Sequence, residues 1–218
     1  MPNWVTNEMV FEGDEQSISA LRSMLVADNE FRRFRSTAFP GSYDDNDKET
    51  FSFSNLVGPT LPEFEAYFSD GGGSVENNWY EWNILYWGTK WDACEPEINI
   101  VSHGDSTLLE LSFQTAWSPI NDALIVRFAV LLNALGIKSA TYAYEEEQGW
   151  GSFLNYDAEQ GNFVIVNEYD VDGVVRSVDA VVDGSNIQTQ YETNKTILDQ
   201  LRSLQSKKES NVEVRMVP

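Results

Sequence analysis

Residues 86–97 read YWGTKWDACEPE and gather a lysine, an aspartate, two tryptophans and the single cysteine of the chain into one short stretch. That set admits chemistry. Lys90 would act as a cation, Asp92 as a base, and Trp87, Trp91 and the later Trp117 as an aromatic wall, the makings of a small-ligand or carbohydrate-binding module. A packing role competes with it. Lys90 and Asp92 stand two apart, so on an extended segment they face the same side and pair with each other. The indoles, each contributing roughly a few kcal/mol on burial, would pin the turn to a core. Large aromatic groups are mostly interior, and the stretch therefore reads first as a structural motif.

Other reactive groups form weaker patterns. His103 lies in SHGDS beside Ser102, Asp105 and Ser106, but the members of a catalytic triad come from separate segments. Cys94, next to Glu95 and Pro96, lacks a neighbour that would lower its pKa. In EYDVDGVVRSVD, residues Glu168, Asp170, Asp172, Gly173 and Asp179 match the spacing of a calcium loop. That loop starts with Asp, ends with a bidentate Glu and joins two helices, whereas here the flanks read as strands and a hairpin turning on Asp172-Gly173 explains the same letters. One histidine and one cysteine leave no soft-ligand set for zinc, and neither a phosphate-binding loop nor a dinucleotide fingerprint occurs. No catalytic residue, metal ligand or cofactor is assigned, and a metal-assisted hydrolase built on Asp and Glu stands as a third class.

Charge is the strongest global signal. Thirty-five acidic residues against fourteen Lys and Arg give a net charge of −21, which repels phosphate backbones and anionic membranes and speeds association with basic surfaces. Direct nucleic-acid binding is disfavoured despite Arg32, Arg33 and Arg35. Asp44, Asp45, Asp47 and Glu49 cluster in one stretch, Glu145, Glu146 and Glu147 in another, and Asp157, Glu159, Glu168, Asp170, Asp172, Asp179 and Asp183 in a third. Such carboxylates could imitate the charge spacing of a nucleic acid, with Tyr43, Trp150 and Tyr156 as anchors. A solvated surface that only confers solubility is the alternative.

The elements that must position these groups follow from periodicity. WVTNEMVFEG alternates Val5, Asn7, Met9 and Phe11 on one side, an opening strand. Asp14 caps a helix through Ile18, Leu21 and Leu25. A polar loop follows over 41–50; FSFSNLVG alternates again, and Thr60 with Glu63 forms a capping box for a short helix. SDGGGS at 69–74 breaks the chain before a helix over Trp79, Trp82, Leu85 and Tyr86 that stops at Gly88. INIVS and TLLELSFQTAW make a hairpin through HGDS. Ser118 caps, and Pro119 begins, a helix with Leu124, Phe128, Leu131 and Leu135 as its buried stripe and Gly136 as its end. IKSATYAYEEE is a strand, residues 151–184 a β-meander, and 188–207 a terminal helix. The predicted class is α+β, an antiparallel sheet with helices on one face. No apolar run long enough to span a membrane and no secretory signal is expected, which points to the cytoplasm.

MPNWVTN, WGTKWD, FQTAWSP and YEEEQGWGSF occur in an order and spacing that resembles the YubB-type ferredoxin-like family of phages and conjugative plasmids. The likeness covers residues 1–155 and implies a ferredoxin-like fold with Trp4, Trp87, Trp91, Asp92, Trp117 and Gly149 at family positions. Ile120 departs from it, where a second proline often follows, and so does the acidic meander over 156–218, read as packed on the same domain. Charge and resemblance together lead to one expectation: a bacterial-host, mobile-element protein that inhibits a host defence protein, such as a nuclease, restriction or CRISPR-type complex, through an acidic surface.

Overall fold

The computed structural model describes residues 3–29, 31, 50–59 and 79–182. One seven-stranded antiparallel sheet runs through them in the order β2-β3-β1-β4-β5-β6-β7. Its strands are β1 (Trp4–Gly13), β2 (Cys94–His103), β3 (Ser106–Ala116), β4 (Ser139–Glu146), β5 (Gly151–Asp157), β6 (Asn162–Tyr169) and β7 (Val175–Val182). Helices α1 (Glu15–Leu25), α2 (Trp79–Tyr86) and α3 (Asp122–Leu135) accompany it. The α+β class holds.

β1 lies inside the sheet between β3 and β4, and its alternation is strict. Val5, Asn7, Met9 and Phe11 are buried, while Thr6 and Glu8 are exposed. β3 answers in antiparallel register, with Leu109, Leu111 and Phe113 turned to the same covered side. Asp14 ends β1 and starts α1 by accepting the Ser17 N–H at 2.9 Å, and Ile18, Leu21 and Leu25 fill the stripe that faces the sheet. α3 buries Leu124, Ile125, Phe128, Ala129 and Leu132, leaving Leu131 and Leu135 at its flank, and ends on Gly136 at φ 69°. Phe11 stacks on Phe128 with ring centroids 5.8 Å apart, which ties β1 to α3.

Several expectations are corrected. FSFSNLVG is not a strand: Phe53–Asn55 form a 3-10 turn, and Phe51, Ser52 and Phe53 are all buried. Period two fails there because Ser52 is drawn inward to hydrogen-bond Asp92, while both phenylalanines pack on Phe113. α3 begins at Asn121, whose Oδ1 accepts the Leu124 N–H at 3.1 Å, rather than at Ser118 and Pro119. Ser118 is committed elsewhere, its hydroxyl donating to the Gly88 carbonyl at 2.5 Å. β2 starts at Cys94, earlier than INIVS, with a bulge between Cys94 and Glu97. The expected 41–50 loop apart from Thr50, the Thr60–Glu63 helix, the 69–74 break and the terminal helix fall at positions outside the described residues.

Candidate binding surface

Two loops, 87–92 and 115–121, meet at the end of the sheet where β1 begins. The Asn121 N–H donates to the Trp87 carbonyl at 3.0 Å. Thr89 Oγ1 donates to the Ala116 carbonyl at 3.1 Å and accepts the Ala116 N–H at 3.2 Å. Asn83 Nδ2 reaches the Lys90 carbonyl at 2.8 Å. Gly88 has φ 80°, and a Cβ there would stand 2.7 Å from Asn121 Cβ, so the close approach of the loops requires glycine. Trp87 is fully buried against Phe53 and Trp82, and its Nε1 donates to the Val57 carbonyl at 2.8 Å.

Asp92 is buried. Its carboxylate accepts Ser52 Oγ at 2.7 Å, the Phe53 N–H at 2.8 Å and the Ala93 N–H at 2.8 Å, fastening the 50–57 segment to the corner. The expected pairing with Lys90 is corrected, because residues 87–92 are a bent loop and not an extended segment. Lys90 Nζ lies 4.7 Å from the Trp117 ring centroid and 5.0 Å from that of Trp91, a cation–π contact on both. Trp4, Trp91 and Trp117 form a ladder with centroids 5.8 and 6.5 Å apart. Trp117 is 45% exposed and carries φ 73°, a strained conformation for a bulky side chain. The motif therefore divides: Trp87 and Asp92 are core, whereas Trp4, Trp91, Trp117 and Lys90 form a half-exposed ladder.

Beneath it runs a buried polar chain. Tyr142 donates its hydroxyl to Asn7 Oδ1 at 2.7 Å, Asn7 Nδ2 donates to Thr115 Oγ1 at 3.0 Å, and Thr115 Oγ1 donates to the Ser118 carbonyl at 2.7 Å. Burial first, and the neighbouring Tyr144 second, raise the Tyr142 pKa well above its ordinary value, so the phenol stays a donor. Asn7 occupies a core position of β1, and its partner lies across the chain.

The helices occupy one face of the sheet. No described element covers the other face, which is acidic. Its outward positions follow from register: Trp4, Thr6, Glu8, Val10 and Glu12 on β1; Leu108, Glu110, Ser112 and Gln114 on β3; Glu97, Asn99 and Val101 on β2; Ser139, Thr141, Ala143 and Glu145 on β4. These described positions carry five glutamates and neither lysine nor arginine. Trp4, Thr6, Glu8, Gln114, Glu145 and Glu147 line an open depression with Tyr169. Tyr169 reaches over β5 and donates to Glu145 Oε2 at 3.1 Å. Gly151 makes that crossing possible, since a Cβ there would meet the Tyr169 hydroxyl at 2.5 Å. Partial burial, then the hydrogen bond and charge of Glu145, push the Tyr169 pKa up to about 12.

The acidic residues singled out from sequence do not form one patch. Glu145 and Glu147 belong to the open face, as do Glu8, Glu12, Glu97 and Glu110, which composition-level clustering missed although strand alternation marks them as outward. Glu146 is corrected: it is 2% exposed and its carboxylate accepts the Gln148 N–H at 2.6 Å. Glu168 pairs with the buried Ser152 and so shares the helix-side face. Asp157 shapes the β5–β6 turn by accepting the Glu159 and Gln160 N–H groups, at the end of the sheet opposite Glu145. Asp170 accepts the N–H groups of Asp172 and Val174 in the β6–β7 turn and pairs with Arg176 at 3.5 Å. That hairpin, not a helix pair, accounts for the calcium-like spacing. Tyr156 is corrected from exposed anchor to core, packed on Phe163, and Trp150 packs edge-on against Tyr144. Cys94 donates to the Asp92 carbonyl at 3.4 Å. Among the described residues no group of acidic, His or Cys side chains is arranged to hold a metal ion, and no helix is long and apolar enough to cross a membrane. Tyr43, Asp44, Asp45, Asp47, Glu49, Arg32, Arg33, Arg35 and Asp183 lie outside the described residues, as do the side chains of His103 and Asp179.

No family model matches the chain, and no curated protein matches it. Among solved structures it is similar to protein api92 from Yersinia pseudotuberculosis, which carries the family model DUF1281, at 9% identity and a TM-score of 0.43 over 78% of this chain and 99% of that one.

Proposed function

We propose that the protein is a non-enzymatic binding protein that lays its open sheet face on a basic surface of another protein. One observation carries this reading. The outward positions of β1, β2, β3 and β4 present Glu8, Glu12, Glu97, Glu110 and Glu145 with no lysine or arginine among them, within a chain of net charge −21. A field of one sign on a rigid sheet steers a basic partner and repels nucleic acid and anionic membranes. At its rim, Trp117 is an exposed indole on a strained but densely bonded corner, the kind of residue that anchors an interface.

The order β2-β3-β1-β4, with α1 and α2 between β1 and β2 and α3 between β3 and β4, supports a ferredoxin-like reading of the first four strands, extended by β5–β7. The motif resemblance to the YubB-type family adds a target class, a nucleic-acid-binding host defence complex met in the bacterial cytoplasm. The test compares what wild-type protein and the Glu8→Lys/Glu110→Lys variant capture from a bacterial lysate at low and high salt. The reading expects a basic protein that is retained by the wild type, released by salt and displaced by duplex DNA. Capture unaffected by both charge reversal and salt overturns it.

A further inference from the structure

Among the described residues the sheet ends at β2, and none of them covers that edge. Natural edge strands are kept from pairing with other chains by proline, lysine, bulges or short length. β2 has a proline and a bulge only at its start, where Glu95 has φ 49°, Pro96 follows and the register shifts before Glu97, whose carboxylate is the one acidic group on the stretch that follows. From Glu97 to His103 the strand pairs with β3 in unbroken register and contains neither proline, lysine nor arginine. Its outer side offers roughly 20 Å of main chain that no described strand pairs with. Both faces of that edge are partly apolar: Ile100, on the helix side, is 47% exposed and Val101, on the open side, 44%. The opposite edge differs, since β7 carries Arg176 and has an extra residue between Ser177 and Ala180, where it passes Ile165 and Asn167 of β6.

We propose that β2 takes up an extended segment of the basic partner as an additional antiparallel or parallel strand, a segment whose side chains alternate basic and apolar. The alternation follows from the two faces of the edge. Residues of the added strand that turn to the open side meet Glu97 and, one strand further in, Glu110; those that turn to the helix side meet Ile98 and Ile100. Main-chain hydrogen bonds supply affinity and the alternate side chains supply selectivity. A second copy of this chain is the wrong occupant, because it brings another −21 of charge and its own Glu97 to the same edge. The inference rests on the basic-partner reading for the charge of the segment, while the edge itself is a separate feature.

The full-length chain and an alternating Lys-Val decapeptide test it, with a block peptide of the same composition, Lys residues followed by Val residues, as control. Binding is read by peptide affinity and by amide hydrogen exchange of residues 97–103. The alternating peptide should bind about tenfold or more tighter than the block peptide and slow exchange in that segment. N-methylation of alternate peptide residues should abolish binding in one phase and spare it in the other, since only one set of amides faces β2. Val101→Lys with Ile100→Lys should abolish the difference between the peptides. Equal affinity for alternating and block peptides overturns strand uptake, and so does protection at 97–103 in the chain alone through self-association. If the peptides bind equally and both are lost on Glu8→Lys/Glu110→Lys, the acidic-face reading stands and strand uptake falls. If Ile100→Lys/Val101→Lys and Glu8→Lys/Glu110→Lys both leave peptide binding unchanged, both fall.

Discussion

The corner made by residues 87–92 and 115–121 adjoins the outward face of β1, β3 and β4, and Trp4 belongs to both. Their polar groups are used in opposite ways. In the corner, Asp92 has one hydroxyl and one main-chain donor from the 50s segment, Thr89 bridges to Ala116 in both directions, and Asn121 caps α3. On the face, Glu8, Glu110 and Glu145 are exposed, and neighbouring outward positions offer them no cation. A buried polar group without a partner costs free energy, so the corner was driven to satisfy each one. Exposed carboxylates are hydrated and contribute almost nothing to folding, which leaves them available to a partner. Groups that look equally reactive in the sequence are thus separated by burial into those that hold the fold and those that meet other molecules.

The sharpest way to break this contrast is Asp92→Ala. It strips three hydrogen bonds and leaves the Phe53 and Ala93 N–H groups without this acceptor, while the Ser52 hydroxyl keeps its contact with Ser54 Oγ at 2.6 Å. A loss of about 3 kcal/mol in urea unfolding is expected, with Asp92→Asn milder because an amide oxygen still accepts. A loss below about 0.5 kcal/mol would mean that the carboxylate is not structural.

How far the sequence disclosed this division depends on which interactions are local. The alternation of β1, the Asp14 cap and the Gly136 stop were legible because each depends on residues within a turn or a strand of one another. Ser118 was misread as a cap because the group that claims it, the Gly88 carbonyl, lies in another loop. The use of Asn7 in the core was invisible for the same reason, since Tyr142 and Thr115 arrive from β4 and β3. The acidic surface was misjudged in a different way. Runs of carboxylates drew attention to Glu145, Glu146 and Glu147 as a unit, but a strand turns successive side chains to opposite faces, so Glu146 went into the fold while Glu145 stayed out. Alternation in WVTNEMVFEG puts Glu8 on the polar side, but TLLELSFQTAW reads only as a hairpin strand, and it is the pairing of β1 with β3 that puts Glu8 and Glu110 on one surface.

A smaller effect sits where Tyr169 crosses Gly151 to reach Glu145. The ordinary tyrosine value is 10.0 and the folded value is about 12. Between those pH values the folded state keeps a proton that the unfolded chain has released, so stability is full below pH 10 and falls as pH rises towards 12. Tyr169→Phe removes this part of the alkaline decline and should change stability at neutral pH little. Thermal unfolding followed from pH 9 to pH 12 reads it, and a variant with an unchanged alkaline slope would show that the phenol is not held by Glu145.

The least effect on folding belongs to the residues given the largest role in binding. Glu8 and Glu110 lie on adjacent strands, offset diagonally across the β1–β3 ladder, where Glu110 stands opposite Val10 and Glu8 opposite Ser112. Replacing both with lysine changes the net charge from −21 by four units, two for each reversal. It removes like-charge repulsion on the face and breaks no buried contact. Urea unfolding should shift by no more than about 0.5 kcal/mol, in either direction, while association with a basic partner slows and loses its salt dependence. A large destabilisation would mean that these carboxylates belong with Asp92, as parts of the fold, and the distinction between corner and face would fail at the residues chosen to represent it.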